Sequence, residues 1–476
     1  MQADITKITR PGKGMSIAFL VKDIAEIPGG YLSPGEHQFI ATRRKKDKTE
    51  FFSFNRLGYW AFVQFLKNGI EPVKRFEKCR KAGDSLASFL NEQKAGQVTI
   101  VDSANDPAEL LSYAEGMALG NYQFLKYKTE NKKKNTLEHI AICCKKISEK
   151  EIKQLAAVVE AVTHCRNLVN EPNAFMTASA FSKEVEKFAK PAGIRVEILN
   201  KRKIEALKMG GLLGVNKGSQ EPPTFTILEW SPESPVNKKP FVFVGKGVVF
   251  DTGGMNLKPG DYMNNMKGDM AGAAAVAGAI YAIAKSGLPV HVIGLMPATD
   301  NRPGPEAIVS GDILRMHNGM TVEVINTDAE GRLILADALS YARKYDPALV
   351  IDLATLTGAA SRAIGRFGIV GMQTKAKKEL EQLKTAGWNT YERIAEFPSW
   401  DEYEDGIKSD LADLKNIGPA EGGAITAGKF LEKFTDYPYI HLDIAGPAYL
   451  EKRDSYRGSG GTGVGVRLLF NFAKNL

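Results

Sequence analysis

An α/β protein of two domains is predicted, the larger C-terminal domain built on a mixed, mostly parallel sheet flanked by helices. Three observations lead there. The chain has 476 residues, more than one compact core holds, since single cores stop growing at roughly 250–300 residues. From residue 195 onward, short apolar runs rich in Val, Ile and Phe alternate with longer helical stretches, the signature of layers around a buried parallel sheet. Charge, finally, is unevenly placed. The net charge of +8 lies wholly in residues 1–150, which hold 25 Lys and Arg against 17 Asp and Glu, while the remainder holds 38 of each. The expected division is a basic α/β domain over 1–148, a connecting helix over 149–171 and a second domain over 172–476. Hydrophobic residues at 43% and charged residues at 25% exclude global disorder.

In chain order, Met15-Ser-Ile-Ala-Phe-Leu-Val21 follows Lys7, Arg10 and Lys13. It lacks a small-residue cleavage site and runs straight into Lys22-Asp23, so a strand is expected there and not a secretory signal. Arg43-Arg44-Lys45-Lys46 and Lys132-Lys133-Lys134 are expected on solvated loops. The sharper alternative is a polyanion-binding face, although few aromatics interleave with these runs. Ser148 and Glu151 make a capping box, in which each side chain satisfies the other residue's backbone N–H. Ile152, Leu155, Val159 and Val162 follow at helical spacing, and Pro172 limits that helix. Strands are then expected at 195–199, 225–228, 241–244, 290–295, 322–325, 349–353 and 439–444, and helices at 269–285, 332–344 and 375–385. The apolar stretch Met270–Ala284 is mostly Ala and Gly and falls short of the roughly 18 residues of a membrane span. It reads as an interior helix, and no membrane association is expected.

Several chemistries are excluded. Cys79, Cys143, Cys144 and Cys165 show no CxxC spacing and are too few for a disulfide scaffold, so a reducing, cytoplasmic setting is expected. Gly423-Ala-Ile-Thr-Ala-Gly-Lys429 matches a phosphate loop, but Phe430 stands where Ser or Thr would hold magnesium and no apolar strand precedes it. A Gly- and Ala-rich helix packed closely on a neighbour is expected instead. Gly458-Ser-Gly-Gly-Thr-Gly463 matches GxGxxG with too little chain after it for a βαβ unit. There is no HExxH and no GxSxG, and the six histidines show no mutual metal-ligand spacing.

What remains is a set of charged residues on glycine-rich turns. One block runs from Val244-Gly-Lys246-Gly through Asp251-Thr-Gly-Gly to Lys258 and Asp269; the second is Asn326-Thr-Asp328-Ala-Glu330-Gly-Arg332-Leu. Each follows an apolar run, and open α/β sheets gather ligands at the carboxyl ends of strands. Asp328 and Glu330, two apart, share one side if the chain is extended. Asp251, Asp269, Asp328 and Glu330 carry four negative charges when ionised, prohibitive to bury uncompensated. Two divalent cations balance them. Such a site suits a bridging water that becomes hydroxide and attacks a metal-polarised centre. Lys258 and Arg332 are then surplus cations for developing oxyanion charge and a bound anion. The spacing does not choose between an acyl and a phosphoryl centre.

The octapeptide Asn326–Leu333 resembles the signature of the leucyl (cytosol) aminopeptidase family of dinuclear-metal exopeptidases. Val-Gly-Lys-Gly247, Phe-Asp-Thr-Gly-Gly254, Met266-Lys-Gly-Asp-Met270, Arg166–Asn173, Ala354-Thr-Leu-Thr-Gly358 and His441-Leu-Asp-Ile-Ala-Gly446 are similar to the same family. The resemblance covers residues 150–476. It implies that Asp251 and Glu330 bridge two metal ions, with Lys246 and Asp269 completing one site and Asp328 the other. The ions would be Zn or Mn, with Mg or Co as alternatives. By the same resemblance Lys258 polarises the scissile carbonyl, and Arg332 holds a bicarbonate acting as general base. Met266, Thr355, Leu356, Gly358 and Ala445 would line an apolar pocket suited to leucine. Pro447-Ala448, where the pocket wall continues, and Thr252, where serine is common, depart from the family pattern. The resemblance further implies short peptides with a free N-terminal amine as substrates and a homo-hexamer. Some relatives also bind DNA or RNA, the alternative role for the basic N-terminal domain.

Overall fold

The computed structural model describes residues 3–12, 14–66, 69–130 and 133–476; Lys13 and Lys132 lie outside the described residues. The fold is mixed α/β. Its backbone divides into two compact units, Met1–Thr163 with Arg453–Gly458, and His164–Lys452 with Ser459–Leu476.

In the first unit a six-stranded sheet has the order Asp4–Ile8, His139–Cys143, Gln97–Asp102, Ile17–Val21, Trp60–Phe65, Phe51–Asn55. All neighbours are parallel except the last pair. Ile17–Val21 is buried along its whole length, which is why its apolar residues run on without alternating. Helices Pro72–Glu92 and Pro107–Gly120 touch through glycine: a Cβ on Gly116 would stand 1.9 Å from the Arg80 carbonyl oxygen. The late segment 453–458 joins this unit through Tyr456, whose hydroxyl donates to Glu77 at 2.7 Å, and Arg453, paired with Asp84 at 2.5 Å.

The first basic run is not on a loop. Arg44, Lys45 and Lys46 form the last turn of helix Pro34–Asp47. A reciprocal Ser33–Glu36 capping box and Pro34 start that helix, and cations suit the negative end of its dipole. The Ser148–Glu151 box also forms, at 2.8 and 3.2 Å, and opens a helix running Glu149–Asn170.

In the second unit the sheet has the order Ile394–Glu396, Ile369–Thr374, Tyr439–Asp443, Leu349–Ala354, Phe241–Gly245, Val292–Asn301, Thr224–Trp230, Arg195–Leu199, with Gly247–Asp251 also paired to Val292–Asn301. Tyr439–Asp443, Leu349–Ala354, Phe241–Gly245, Val292–Asn301 and Gly247–Asp251 are mutually parallel; the antiparallel pairings lie outside them. Helix Ala271–Lys285 covers one face, where Gly294 leaves room for Ile280 and Val276. Ile293 and Leu295 point to the other face and pack in one core with residues of helices Gly331–Ala342 and Gly423–Glu432. The phosphate-loop look-alike is thus a close-packed helix, with Gly428 against Met372.

One expected strand is placed differently. Thr321–Glu323 belongs to a separate three-stranded sheet with Ile313–Arg315 and Leu414–Lys415. The Asn416 side chain accepts from the backbone of Ile325 and Asn326 at 2.8 and 3.2 Å and donates to the Asn326 carbonyl at 2.7 Å. Those groups are satisfied there without a strand partner, so the chain is free to turn.

Candidate metal centre

The charged residues converge where the parallel strands end. Lys246 follows Phe241–Gly245, Asp251 closes Gly247–Asp251, and Thr355 follows Leu349–Ala354. Lys246 is 3% exposed. Its ammonium lies 2.8 Å from Asp269 and 2.9 Å from Glu330, and donates to the Thr355 carbonyl at 3.0 Å. Lys258 lies 2.8 Å from Asp251 and 2.6 Å from Asp328. Asp251, Asp328 and Glu330 each offer an oxygen within 4.8 Å of the others. All five expected ligands and Lys258 therefore share one cluster.

Asp328 and Glu330 do not meet as residues of an extended chain. Asp328 lies in a turn in which Ala329 donates to the Asn326 carbonyl at 3.1 Å. Glu330 already has helical dihedrals, φ −78° and ψ −37°, at the start of Gly331–Ala342. Gly331 leaves room for the Lys246 side chain, since a Cβ there would stand 2.4 Å from Lys246 Cε and push the ammonium out of place. Gly253, at φ +87°, lets the backbone pass close to Asp328.

Burial, reinforced by the charge of Asp251, pushes Glu330 up to about 8. Burial also pushes Asp269 up to about 6 and raises Asp328. For the two lysines burial acts downward, but the surrounding carboxylates outweigh it and hold both above the usual lysine range. Among the described residues, the buried oxygens Asp269 Oδ2, Asp328 Oδ1 and Glu330 Oε1 meet the lysine ammoniums without an aligned hydrogen bond. Hard oxygen donors, unspent lone pairs and more acids than bases fit divalent cations. A lysine that gives up its proton beside such ions adds a nitrogen donor.

Of the supporting residues, Asn301 lay in no motif, and Thr327 and Asp443 lay in the quoted blocks without a role. Asn301 donates to Asp251 at 2.9 Å and to the Thr327 carbonyl at 3.0 Å, so it ties the two blocks together. The Thr327 hydroxyl in turn donates to the Gly253 carbonyl at 2.6 Å. A polar residue closing a fully buried strand was the one signal available for Asn301. Asp443 Oδ1 accepts from the backbone of Leu356 at 3.2 Å and Ala445 at 3.1 Å, and Oδ2 accepts from Thr357 at 2.7 Å. It thereby joins the two stretches expected to line the side-chain pocket. Thr355 also donates its hydroxyl to Asp269 at 2.7 Å. Met266 is half-buried in the turn that leads into Asp269, and Gly358 is exposed at the start of helix Gly358–Ile364.

Arg332 lies in the first turn of helix Gly331–Ala342 and is 5% exposed. Among the described residues its Nε and Nη1 have no hydrogen-bond partner. Burial lowers the guanidinium to about 10 in spite of Glu330 and Asp443. Unpaired buried donors on a cation suit an anion.

Residues 163–470 match the model of the cytosol aminopeptidase family, catalytic domain. A probable cytosol aminopeptidase of Chlorobium limicola is 42% identical over 431 residues, 85% of each chain. Another, from Chlorobium phaeobacteroides, is 44% identical over 430 residues, 85% of this chain. Among solved structures, a mutant tomato leucine aminopeptidase superposes with a TM-score of 0.86 at 28% identity, covering 100% of this chain and 97% of that one. A bottromycin maturation enzyme in complex with Mn gives 0.85 at 28% identity over 98% of this chain and 99% of that one.

Proposed function

This chain belongs to the cytosol aminopeptidase family, whose members are metal-dependent aminopeptidases, and on that premise we propose that it removes leucine or another apolar residue from the free N-terminus of short peptides. The observation that carries the reading is the meeting of Asp251, Asp328 and Glu330 within 4.8 Å, in an acid-rich cluster where Asp328 Oδ1 and Glu330 Oε1 meet lysine ammoniums without an aligned hydrogen bond. Lys246, Asp251, Asp269, Asp328 and Glu330 would hold two divalent ions. Bound there, such ions polarise a carbonyl and lower the pKa of a shared water.

The chain's own residues do the rest. Lys258, beside Asp251 at 2.8 Å and Asp328 at 2.6 Å, is the cation placed for the developing oxyanion. Arg332 is assigned to a bicarbonate, for which its unpartnered N–H groups are donors. Met266, Thr355, Leu356, Gly358 and Ala445 receive the first side chain, and Asp443 keeps Leu356 and Ala445 in register. Among the described residues no helix is long and apolar enough to cross a membrane; the proposed setting is cytoplasmic and the proposed assembly a homo-hexamer. Nucleic-acid binding by the basic N-terminal unit has no specific observation in its favour.

The test is leucine release from a leucyl peptide, measured with chelator and after adding back Mn²⁺ or Zn²⁺. Activity that vanishes with chelator and returns with metal is expected. Chelator-resistant release, or equal cleavage of an N-acetylated peptide, would overturn the reading.

A further inference from the structure

Asn170, outside the metal cluster, touches the turn that leads into Asp269. It is the last residue of helix Glu149–Asn170 and is 6% exposed. The final carbonyls of a helix need partners from outside it, and Pro172, just beyond, has no N–H to offer. Lys267 supplies one, its ammonium donating to the Asn170 carbonyl at 2.9 Å. A cation there also suits the negative pole of the helix.

The same turn is met from a second side. Lys267 lies in the short 3₁₀ turn Met266–Gly268, which the chain enters through Asn265 at φ +66°. Gly268 donates to the Asn265 carbonyl at 2.8 Å and Asp269 to that of Met266 at 3.3 Å. Gly268 faces the ring of Tyr449, where a Cβ would stand 3.1 Å from the ring. Tyr449 is the register partner of Gly461 in a two-stranded sheet. Gly461, finally, donates its N–H to the Asn170 side chain at 2.9 Å. Gly460, at φ +77°, seats that side chain directly against the backbone, since a Cβ there would stand 2.2 Å from Asn170 Oδ1. The contacts form a closed circuit of Asn170, Lys267, Gly268, Tyr449 and Gly461.

What the circuit holds is the approach to the cluster. Met266 opens the turn and Asp269 comes directly after it, 2.8 Å from Lys246 and accepting from the Thr355 hydroxyl at 2.7 Å. The chain before the turn is open to solvent, with Leu257 and Tyr262 exposed. A ligand carboxylate has to stand within a few tenths of an ångström of its place. We propose that Lys267 is a positioning residue: by fastening the turn 266–268 to the end of helix Glu149–Asn170, it fixes Asp269 for a divalent ion and Met266 for the substrate side chain. This rests on the reading of the cluster as a metal centre.

Lys267→Met keeps an unbranched stem and loses the donor, whereas Lys267→Arg keeps a donor. On the full chain, Mn²⁺ affinity is measured by competition with a chelating dye, and the visible spectrum is recorded after loading with Co²⁺. The kcat and KM for a leucyl peptide complete the set. Lys267→Met should hold one of its two ions about tenfold more weakly, the low end of the scale for groups that orient metal ligands, and its Co²⁺ spectrum should change. Saturating Mn²⁺ should restore kcat but leave KM raised, because Met266 rides on the same turn. Lys267→Arg should return affinity, spectrum and KM toward the parent. Should Lys267→Met not fold, Tyr449→Leu tests the circuit from its other side, with a smaller rise in the Mn²⁺ Kd expected. Folded variants that differ from the parent only in Tm, with Mn²⁺ affinity, Co²⁺ spectrum and KM unchanged, overturn the proposal and leave Lys267 a helix cap. A parent that binds neither Mn²⁺ nor Co²⁺ overturns the metal-centre reading as well.

Discussion

Carboxylates are buried in two settings within the second unit, and their hydrogen bonding is completed in only one. Asp337, inside helix Gly331–Ala342, accepts the backbone N–H groups of Leu212 and His317 at 2.9 Å each. Glu392 accepts from Gly465 and Leu468 at 3.0 Å each and from Arg467 at 3.1 Å, and so closes the start of helix Val466–Lys474. Their lone pairs face donors held by the backbone, and they lock one element to another. At the strand ends, Asp269, Asp328 and Glu330 face one another and two lysine tips, and each keeps an oxygen without an aligned bond. Burial alone therefore does not mark a site. Unfinished hydrogen bonding among like charges does.

The sharpest way to break this contrast is to remove one carboxylate from each setting. Glu330→Ala should drop leucine release below detection and lower the metal content, yet leave the chelated protein as stable as the parent or more so, because a like-charge neighbour of Asp251 and Asp269 has gone. Asp337→Ala should do the reverse: kcat of the folded enzyme stays, while stability falls by about 2–4 kcal/mol as backbone donors lose their acceptor. Calorimetric unfolding with and without chelator, beside metal analysis, checks both. Loss of stability in chelated Glu330→Ala would erase the distinction.

Asn301→Ala acts one step away. Without its amide, Asp251 loses a donor and the tie to Thr327, so metal affinity should fall about 10–100-fold, the usual scale for groups that orient metal ligands. Competition with a chelating dye measures it. An unchanged affinity would mean that Asn301 only closes a strand.

The smallest effect is in pH. Glu330 is pushed up to about 8 from 4.5 and Asp269 up to about 6 from 3.8. Acids raised in this way bind protons more tightly folded than unfolded. Their contribution to the chelated protein is complete below the ordinary carboxylate range and is lost as pH rises through about 6 and then about 8. Metal binding competes with those protons. The difference in Tm between metal-loaded and chelated protein should therefore widen between about pH 6 and 8.5. Asp337, pushed up to about 7 by burial, contributes to both curves and cancels in the difference. A constant gap would show that the cluster does not exchange protons for metal.

Legibility followed the range of the interactions. The interior strands, the alanine-rich helix 271–285 and the Ser148–Glu151 box rest on neighbours within a few residues, so composition and spacing were enough to read them. Lys246 and Asp251 could be placed at strand ends for the same reason: the apolar run stops, glycines follow and a charge appears. That these residues stand among four acids was also visible, as a charge too large to bury without partners. The route by which Asp328 and Glu330 converge was not. It depends on Asn416, about 90 residues away, holding Ile325 and Asn326 out of strand pairing. Nor did anything local announce that 453–458 returns to the first unit, or that Asn301 and Asp443 reach the rim from separate strands. Alone, the sequence determined which residue types are present and which short segments bear them, because helix caps and strand periods are set by adjacent side chains. Only the tertiary structure decided which lone pairs and N–H groups are left without partners, because that depends on atoms brought together across tens to hundreds of residues.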